Sequence, residues 1–236
     1  ECVMASPAVR LQAVNYVLSQ FNKKQTMEDQ LFFMGTNIDV LIQSLCSSLQ
    51  DASVLVQRAA LEMLLTGFPL HNNQLTKPDK IKLLTAAIKV VLRRDMSLNR
   101  RLYAWLLGTD ANGVPIQVKK KDEQTPPSGP VQPPKTQRQD STGTIAEETD
   151  MAYFRAYSSS PLSTGIINCI WETASGETFI DGKQANLRPF RILISLLDKP
   201  EIGMEVIEWV LIDLFRFFYL EYHKLNSESE GNGLVR

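Results

Sequence analysis

The chain has 236 residues, 44% of them apolar, and a formal net charge of −1. That balance gives no global positive field to gather DNA or RNA, so nucleic acid is excluded as a main partner. Three cysteines, Cys2, Cys46 and Cys169, stand far apart with no CxxC pair, which fits reduced thiols of the cytosol better than a disulfide framework.

From the N-terminus, Ser6-Pro7 reads as a helix start, since a serine oxygen can accept an orphan amide and proline has none to orphan. Val9, Ala13, Val14, Val17, Leu18 and Phe21 then recur at three- and four-residue steps, predicting an amphipathic helix with residues 22–29 as its exit loop. A second helix begins near Asn37, with Ile38, Leu41, Ile42, Leu45 and Leu49 on one face. Asp51 reads as the cap of a third, which carries Val54, Leu55, Ala59, Leu61 and Leu65 inward. Gly67 and Pro69 stop it, because proline inside a helix costs about 3 kcal/mol. Lys77-Pro78-Asp79 opens another, through Ile81, Leu84, Ile88 and Val91 to Arg93. After Asp95 a fifth carries Leu98, Leu102, Trp105 and Leu106 and closes at Gly108.

Between Thr109 and Asp150 the periodicity vanishes, half of the chain's 12 prolines occur, and Lys119-Lys120-Lys121 adds charge. Too little apolar surface remains to offset ordering entropy, so a disordered insert looping out of one inter-helix turn is expected. Order resumes at Met151. Ser160-Pro161 repeats the start signal before Ile166, Ile167, Ile170 and Trp171, and Asn186 is placed as the cap of a helix with Phe190, Leu193, Ile194 and Leu197. Asp198-Lys199-Pro200 starts the last helix, with Ile207, Trp209, Leu211, Leu214, Phe215 and Phe218. The reading is therefore helical repeats over 1–108, an insert over 109–150, further repeats over 151–225 and a flexible tail over 226–236. No run reaches the roughly 18 apolar residues of a membrane span: Val206–Tyr222 is broken by Glu208, Asp213, Arg216 and Glu221. The start shows no secretory signal and no initiator methionine, so the chain reads as part of something longer.

A pattern returns three times. Val9-Arg10-Leu11-Gln12-Ala13, Val56-Gln57-Arg58-Ala59-Ala60 and Arg100-Arg101-Leu102-Tyr103-Ala104 place alanines 47 and 44 residues apart, with Asp51 and Asp95 each nine residues ahead. A period in the forties with two helices per unit predicts an all-α fold, a HEAT/armadillo-like helical solenoid interrupted by the insert. Gln57 occupies the position where such a unit usually carries arginine.

Catalysis finds no footing. His71 and His223 are the available bases; His71 sits in a Pro-Leu-His-Asn turn and reads as solvated, while Cys46 sits beside core leucines as a small apolar residue. No metal-ligand spacing or glycine-rich phosphate loop occurs, so neither enzyme activity nor a cofactor is expected. Arg93, Arg94, Arg100 and Arg101, with Lys89 on the preceding helix, form a basic cluster and are the candidate contacts for an anionic lipid headgroup or acidic peptide. Near an anionic bilayer each cation contributes about 1 kcal/mol, so four reach only about millimolar affinity. The plainer account has Arg93 and Arg94 serving the negative end of a helix and Arg101 making a contact within the repeat. The aromatic stripe Trp209, Phe215, Phe217, Phe218, Tyr219 and Tyr222 fits either a groove for a partner helix or a terminal helix covered by a further repeat.

The block Arg93-Arg94-Asp95-Met96-Ser97-Leu98-Asn99-Arg100-Arg101-Leu102-Tyr103-Ala104-Trp105-Leu106-Leu107-Gly108 closely resembles the N-terminal region of the Dopey family. Phe33-Met34-Gly35-Thr36, Val54-Leu55-Val56-Gln57-Arg58 and the stretch from Arg188-Pro189-Phe190-Arg191-Ile192 to Leu197-Asp198-Lys199-Pro200-Glu201-Ile202-Gly203 support it. The resemblance implies a very large cytoplasmic scaffold, peripheral on Golgi and endosome membranes, acting in endosome-to-Golgi traffic. It further implies a Sec7-related solenoid partner, a phospholipid flippase, kinesin light chain, and phosphatidylinositol 4-phosphate as ligands of such proteins. It carries over no catalytic residue, and the arginine candidates come from this sequence alone. Rival readings are an exchange-factor-like regulator of a small GTPase, for which no acidic finger is present, and a generic cargo adaptor, for which the asparagine ladder is missing.

Overall fold

A computed structural model describes residues 2–21, 37–71, 75–110, 113–115, 150–175 and 187–233. The predicted exit loop at 22–29 and nearly all of the predicted insert lie outside them. The helices are α1 (Cys2–Ala5), α2 (Pro7–Gln20), α3 (Ile38–Leu49), α4 (Val54–Gly67), α5 (Lys77–Ala87), α6 (Met96–Leu107), α7 (Ser159–Ser175), α8 (Arg188–Leu197) and α9 (Pro200–Gly233). A 3₁₀ segment, Ile88–Arg93, continues α5, and a π turn, Phe154–Ser158, leads into α7. Among the described residues no strand forms, only an isolated bridge between Thr109 and Pro115.

Local chemistry sets several of these ends. The Asn37 side chain accepts from the Val40 N–H at 3.2 Å to start α3. Thr76 and Asp79 form a reciprocal capping box at α5. The Asp95 carboxylate accepts from the Ser97 and Leu98 N–H groups at 2.9 and 3.0 Å and from the Ser97 hydroxyl, which holds its carboxyl below the usual carboxylate range. Gly108 closes α6 with φ +68°, a left-handed cap that glycine adopts without strain.

Several ends differ from expectation. Ser6 precedes α2 without a side-chain capping bond. Asp51 is not the cap of α4: Ser53 holds that place, and the Asp51 carboxylate instead accepts from the Ser53 N–H at 2.8 Å and pairs with Arg10. Ser160-Pro161 does not start a helix, because the chain is already helical from 150. Pro161 cannot donate to its preceding turn, and the ladder widens just before it, with the Ser159 N–H bonding the Phe154 carbonyl five residues back. Asn186 lies outside the described residues, and Leu187 precedes α8. Beyond Asn226, expected to be loose, α9 continues to Gly233.

The helices stack in two layers, with α2, α4 and α6 packed in sequence in one and α3, α5, α7 and α9 in the other. Ala13, Ala60 and Ala104 fall on α2, α4 and α6, so the repeat spacing is the step between neighbours of one layer. Ile42, Leu49, Leu61, Leu64, Leu83, Leu84, Leu98, Trp105 and Phe154 are almost wholly buried in one continuous core. Burial of this kind contributes roughly 25 cal/mol per Å² of apolar surface, and short helices depend on it.

Residues on either side of the predicted insert meet. A Cβ on Gly108 would fall 2.6 Å from the Tyr153 ring, and the Ser158 hydroxyl donates to the Leu106 carbonyl at 2.6 Å. The Tyr153 hydroxyl accepts from the His71 N–H at 3.2 Å and lies 3.0 Å from His71 Nδ1. His71 is thus half-buried rather than solvated, and burial, with nearby Lys80, pushes its pKa below 6.5. Burial likewise raises Tyr153 to about 12.

Two outcomes follow from this packing. The folded chain binds fewer protons at His71 than the unfolded chain, so its contribution is complete above pH 6.5 and is lost as pH falls from there toward the lowered folded value. Thermal unfolding across that window should show a slope that His71→Gln flattens. Trp105, 1% exposed and donating to the Phe68 carbonyl at 2.8 Å, should cost about 3–5 kcal/mol in urea unfolding when replaced by alanine.

Candidate functional site

The end of α3, the 3₁₀ segment, α7 and α8 enclose a groove of 1320 Å³. Lys89, Arg93 and Arg94 line it from the 3₁₀ segment and its exit, and Arg188 and Arg191 line it from α8. Two carboxylates, Glu172 and Asp198, stand against these five cations. The groove is therefore a net basic concavity.

Its cations are placed by backbone. α5 tightens to 3₁₀ geometry from Ile88 and ends at Arg94, whose φ of +54° reverses the chain. That conformation costs a non-glycine residue roughly 1 kcal/mol or more, and it delivers Asp95 to cap α6. The Arg93 guanidinium donates to the Asp51 and Ala52 carbonyls at 3.1 and 3.2 Å. On α8, Ile192, Leu193 and Leu196 are buried, while Arg188 and Arg191 sit one turn apart on the exposed side. The Tyr103 hydroxyl on α6 donates to the Ser195 carbonyl at 3.1 Å, fastening α8 in place. Burial, with Asp198 and Glu201 nearby, pushes Tyr103 up to about 12, so this donor keeps its proton.

Of the five predicted contacts, the structure brings Lys89, Arg93 and Arg94 together and leaves Arg100 and Arg101 out of the groove lining. Arg100 is exposed on α6. Arg101 pairs with Glu62 on α4 at 2.9 Å, a contact between successive repeats and not within one, and donates to the Ser97 carbonyl of its own helix at 3.1 Å. Arg188 and Arg191 were missed as site residues. Their i, i+3 spacing opposite an apolar face marks an exposed pair, but only the packing of α8 on the 3₁₀ segment aims them at Lys89 and Arg93.

Gln57, 3% exposed, takes the polar role of its repeat: Nε2 donates to the Leu49 carbonyl at 3.0 Å, while Oε1 is buried without a partner and Gln57 lines the groove. Cys169 also lines it. Burial raises the pKa of both Cys169 and Cys46, which makes them sluggish nucleophiles at neutral pH. Among the described residues no group of three or more His, Cys, Asp or Glu could hold a metal ion, and no helix is long and apolar enough to cross a membrane.

Residues 1–111 match the family model described as Dopey, N-terminal, and residues 153–230 match the one described as DOP1 middle TPR domain. Protein DOP1 homolog of Drosophila melanogaster is 37% identical over 233 residues, which cover 98% of this chain and 8% of that protein. Protein DOP1B of Mus musculus is 35% identical over 248 residues, covering 99% of this chain and 10% of that protein. Protein pad-1 of Caenorhabditis elegans is 30% identical over 236 residues, covering 97% and 9%. The chain thus spans about a tenth of the length of these relatives. No solved structure matches.

Arg93→Ala should lower the urea midpoint, since losing charge-assisted bonds to two carbonyls costs about 1.5–3 kcal/mol before solvent screening reduces it. Arg100→Ala, with no such contact, should stay within about 0.5 kcal/mol of the parent.

Proposed function

The chain belongs to the Dopey family, and from that premise we propose that it is a non-catalytic scaffold segment of membrane traffic whose basic groove holds an anionic headgroup. The observation that carries this reading is the convergence of Lys89, Arg93, Arg94, Arg188 and Arg191 on one concavity. Arginine suits such a task, because its planar fork binds phosphate oxygens in pairs.

In this reading the protein is peripheral on Golgi and endosome membranes, and phosphatidylinositol 4-phosphate is the headgroup. The two helical layers offer further surface to protein partners, namely a Sec7-related solenoid, a phospholipid flippase and kinesin light chain. Family membership supports that list, and a stacked helical architecture supports the type of surface. At about 1 kcal/mol per cation, offset in part by Glu172 and Asp198, the groove alone holds a membrane weakly. Residence there depends on several such contacts engaged together, which multiply through effective concentration.

Vesicle flotation tests the groove. The chain should float with phosphatidylcholine vesicles carrying phosphatidylinositol 4-phosphate and not with phosphatidylcholine alone. Arg188→Glu with Arg191→Glu should abolish flotation, whereas Arg100→Glu should leave it near the parent level. Equal loss in both variants would assign the binding to diffuse charge, and equal retention would remove the groove from it.

A further inference from the structure

Helix α9 is apolar on two opposite sides. Ile202, Val206, Val210 and Phe217 are buried on one side, where α9 packs on α7. At 100° per residue, Met204, Leu211, Phe215, Phe218 and Tyr222 fall on the opposite side, with Ile212 and Tyr219 beside them. Most of that second side is bare: Met204 is 71% exposed, Ile212 70%, Phe215 67%, and Tyr219 and Tyr222 62% each, while Phe218 is half-covered by stacking on Phe190 of α8. It runs for about 27 Å at 1.5 Å per residue. Glu208 is the charged residue within it, while Glu205 and Arg216 flank it.

A helix apolar on opposing sides is built to be covered on both. α5 and α7 show the arrangement, since each lies between two helices of its own layer, α5 between α3 and α7, and α7 between α5 and α9. Among the described residues α9 has its layer neighbour, α7, on one side only. The bare strip faces away from α7, along the direction in which the layer grows.

We infer that this strip seats the next helix of the same layer, supplied by the polypeptide that continues beyond α9 in the longer family proteins. Three observations select that occupant. The relatives are about ten times longer than this chain. The model matched over 153–230 is by description a middle domain, so more chain follows it in the family. The strip continues an existing stacking interface, and its poverty in charge fits an apolar helix face. An anionic membrane fits worse, because Glu208 would oppose it. The inference is independent of headgroup binding at the groove.

Methionine oxidation in the full-length protein tests it, with internal references. Met96 is 87% exposed on α6 and Met63 is 4% exposed on α4. Under dilute peroxide, Met204 should oxidise at the rate of Met63, independently of protein concentration. Oxidation at the rate of Met96 would show the strip bare and overturn the inference, and protection that grows with protein concentration would assign it to a second copy. Photo-crosslinking from p-benzoylphenylalanine in place of Phe215 identifies the cover. A crosslink within one polypeptide to residues beyond 236 supports the inference; one to residues 111–149 or 176–186, or to an isotopically distinct second copy, overturns it.

Discussion

The turn joining α3 to α4 is where separate parts of the fold are tied to one another. Arg10 reaches it from α2 and pairs with the Asp51 carboxylate, both side chains being largely buried at 12% and 8% exposure. Arg93 reaches it from the far end of the 3₁₀ segment and takes the Asp51 and Ala52 carbonyls. Gln57 secures the last turn of α3 from within α4. Desolvating Arg10 and Asp51 is costly, and the pair alone is weak evidence of net stability. Its effect is on geometry, since a buried charge tolerates only positions that keep its partner in reach. α2, α4 and the 3₁₀ segment are thereby held in one register around the turn, and the groove inherits that register through Arg93.

The second constraint is the way the chain resumes at Tyr153. The core does not stop at Gly108: Phe154, Leu162 and Ile166 join the same cluster as Leu84 and Ile88. Tyr153 occupies the space left by the missing Cβ of Gly108 and bonds to His71, while Ser158 satisfies the Leu106 carbonyl. Stacking therefore proceeds from α5 to α7 and from α6 to the π turn with no break in the apolar interface. Loop-closure entropy grows only slowly with length, so a long intervening segment is compatible with that continuity.

Much of this was legible because it is local. Asn37, Lys77-Pro78 and Asp95 marked true helix starts, Gly108 marked a true stop, and the alanine spacing mapped onto one layer. What escaped was nonlocal or depended on competition between local rules. Asp51 has the chemistry of a cap, but a buried arginine 41 residues away claims it. Ser160-Pro161 has the chemistry of a start, but a helix already under way absorbs proline by widening one turn. His71 lies in a polar turn whose burial is decided by Tyr153, 82 residues on. Arg101 was grouped with its neighbours by sequence proximity, although helical direction and Glu62 draw it elsewhere, whereas Arg188 and Arg191 join the groove only through packing.

The origin of the groove's charges has a consequence for how it would work. Lys89, Arg93 and Arg94 precede residues 116–149 in the chain, and Arg188 and Arg191 follow them. Neither set alone encloses a concavity; the groove exists where α8 rests on the 3₁₀ segment and α7 rests on α5. Mutual repulsion among five cations opposes that packing, and Glu172 and Asp198 relieve it only in part. On the proposed reading, a bound anion would offset that repulsion and contact both sets at once, and so would stabilise the stacked form by mass action. By the same linkage, anything that loosens α8 from the 3₁₀ segment would weaken anion binding. Occupancy of the groove and the integrity of the helical stack would then be one equilibrium, to which Tyr103 contributes by tying α8 to α6 and Arg93 by tying the 3₁₀ segment to the turn between α3 and α4.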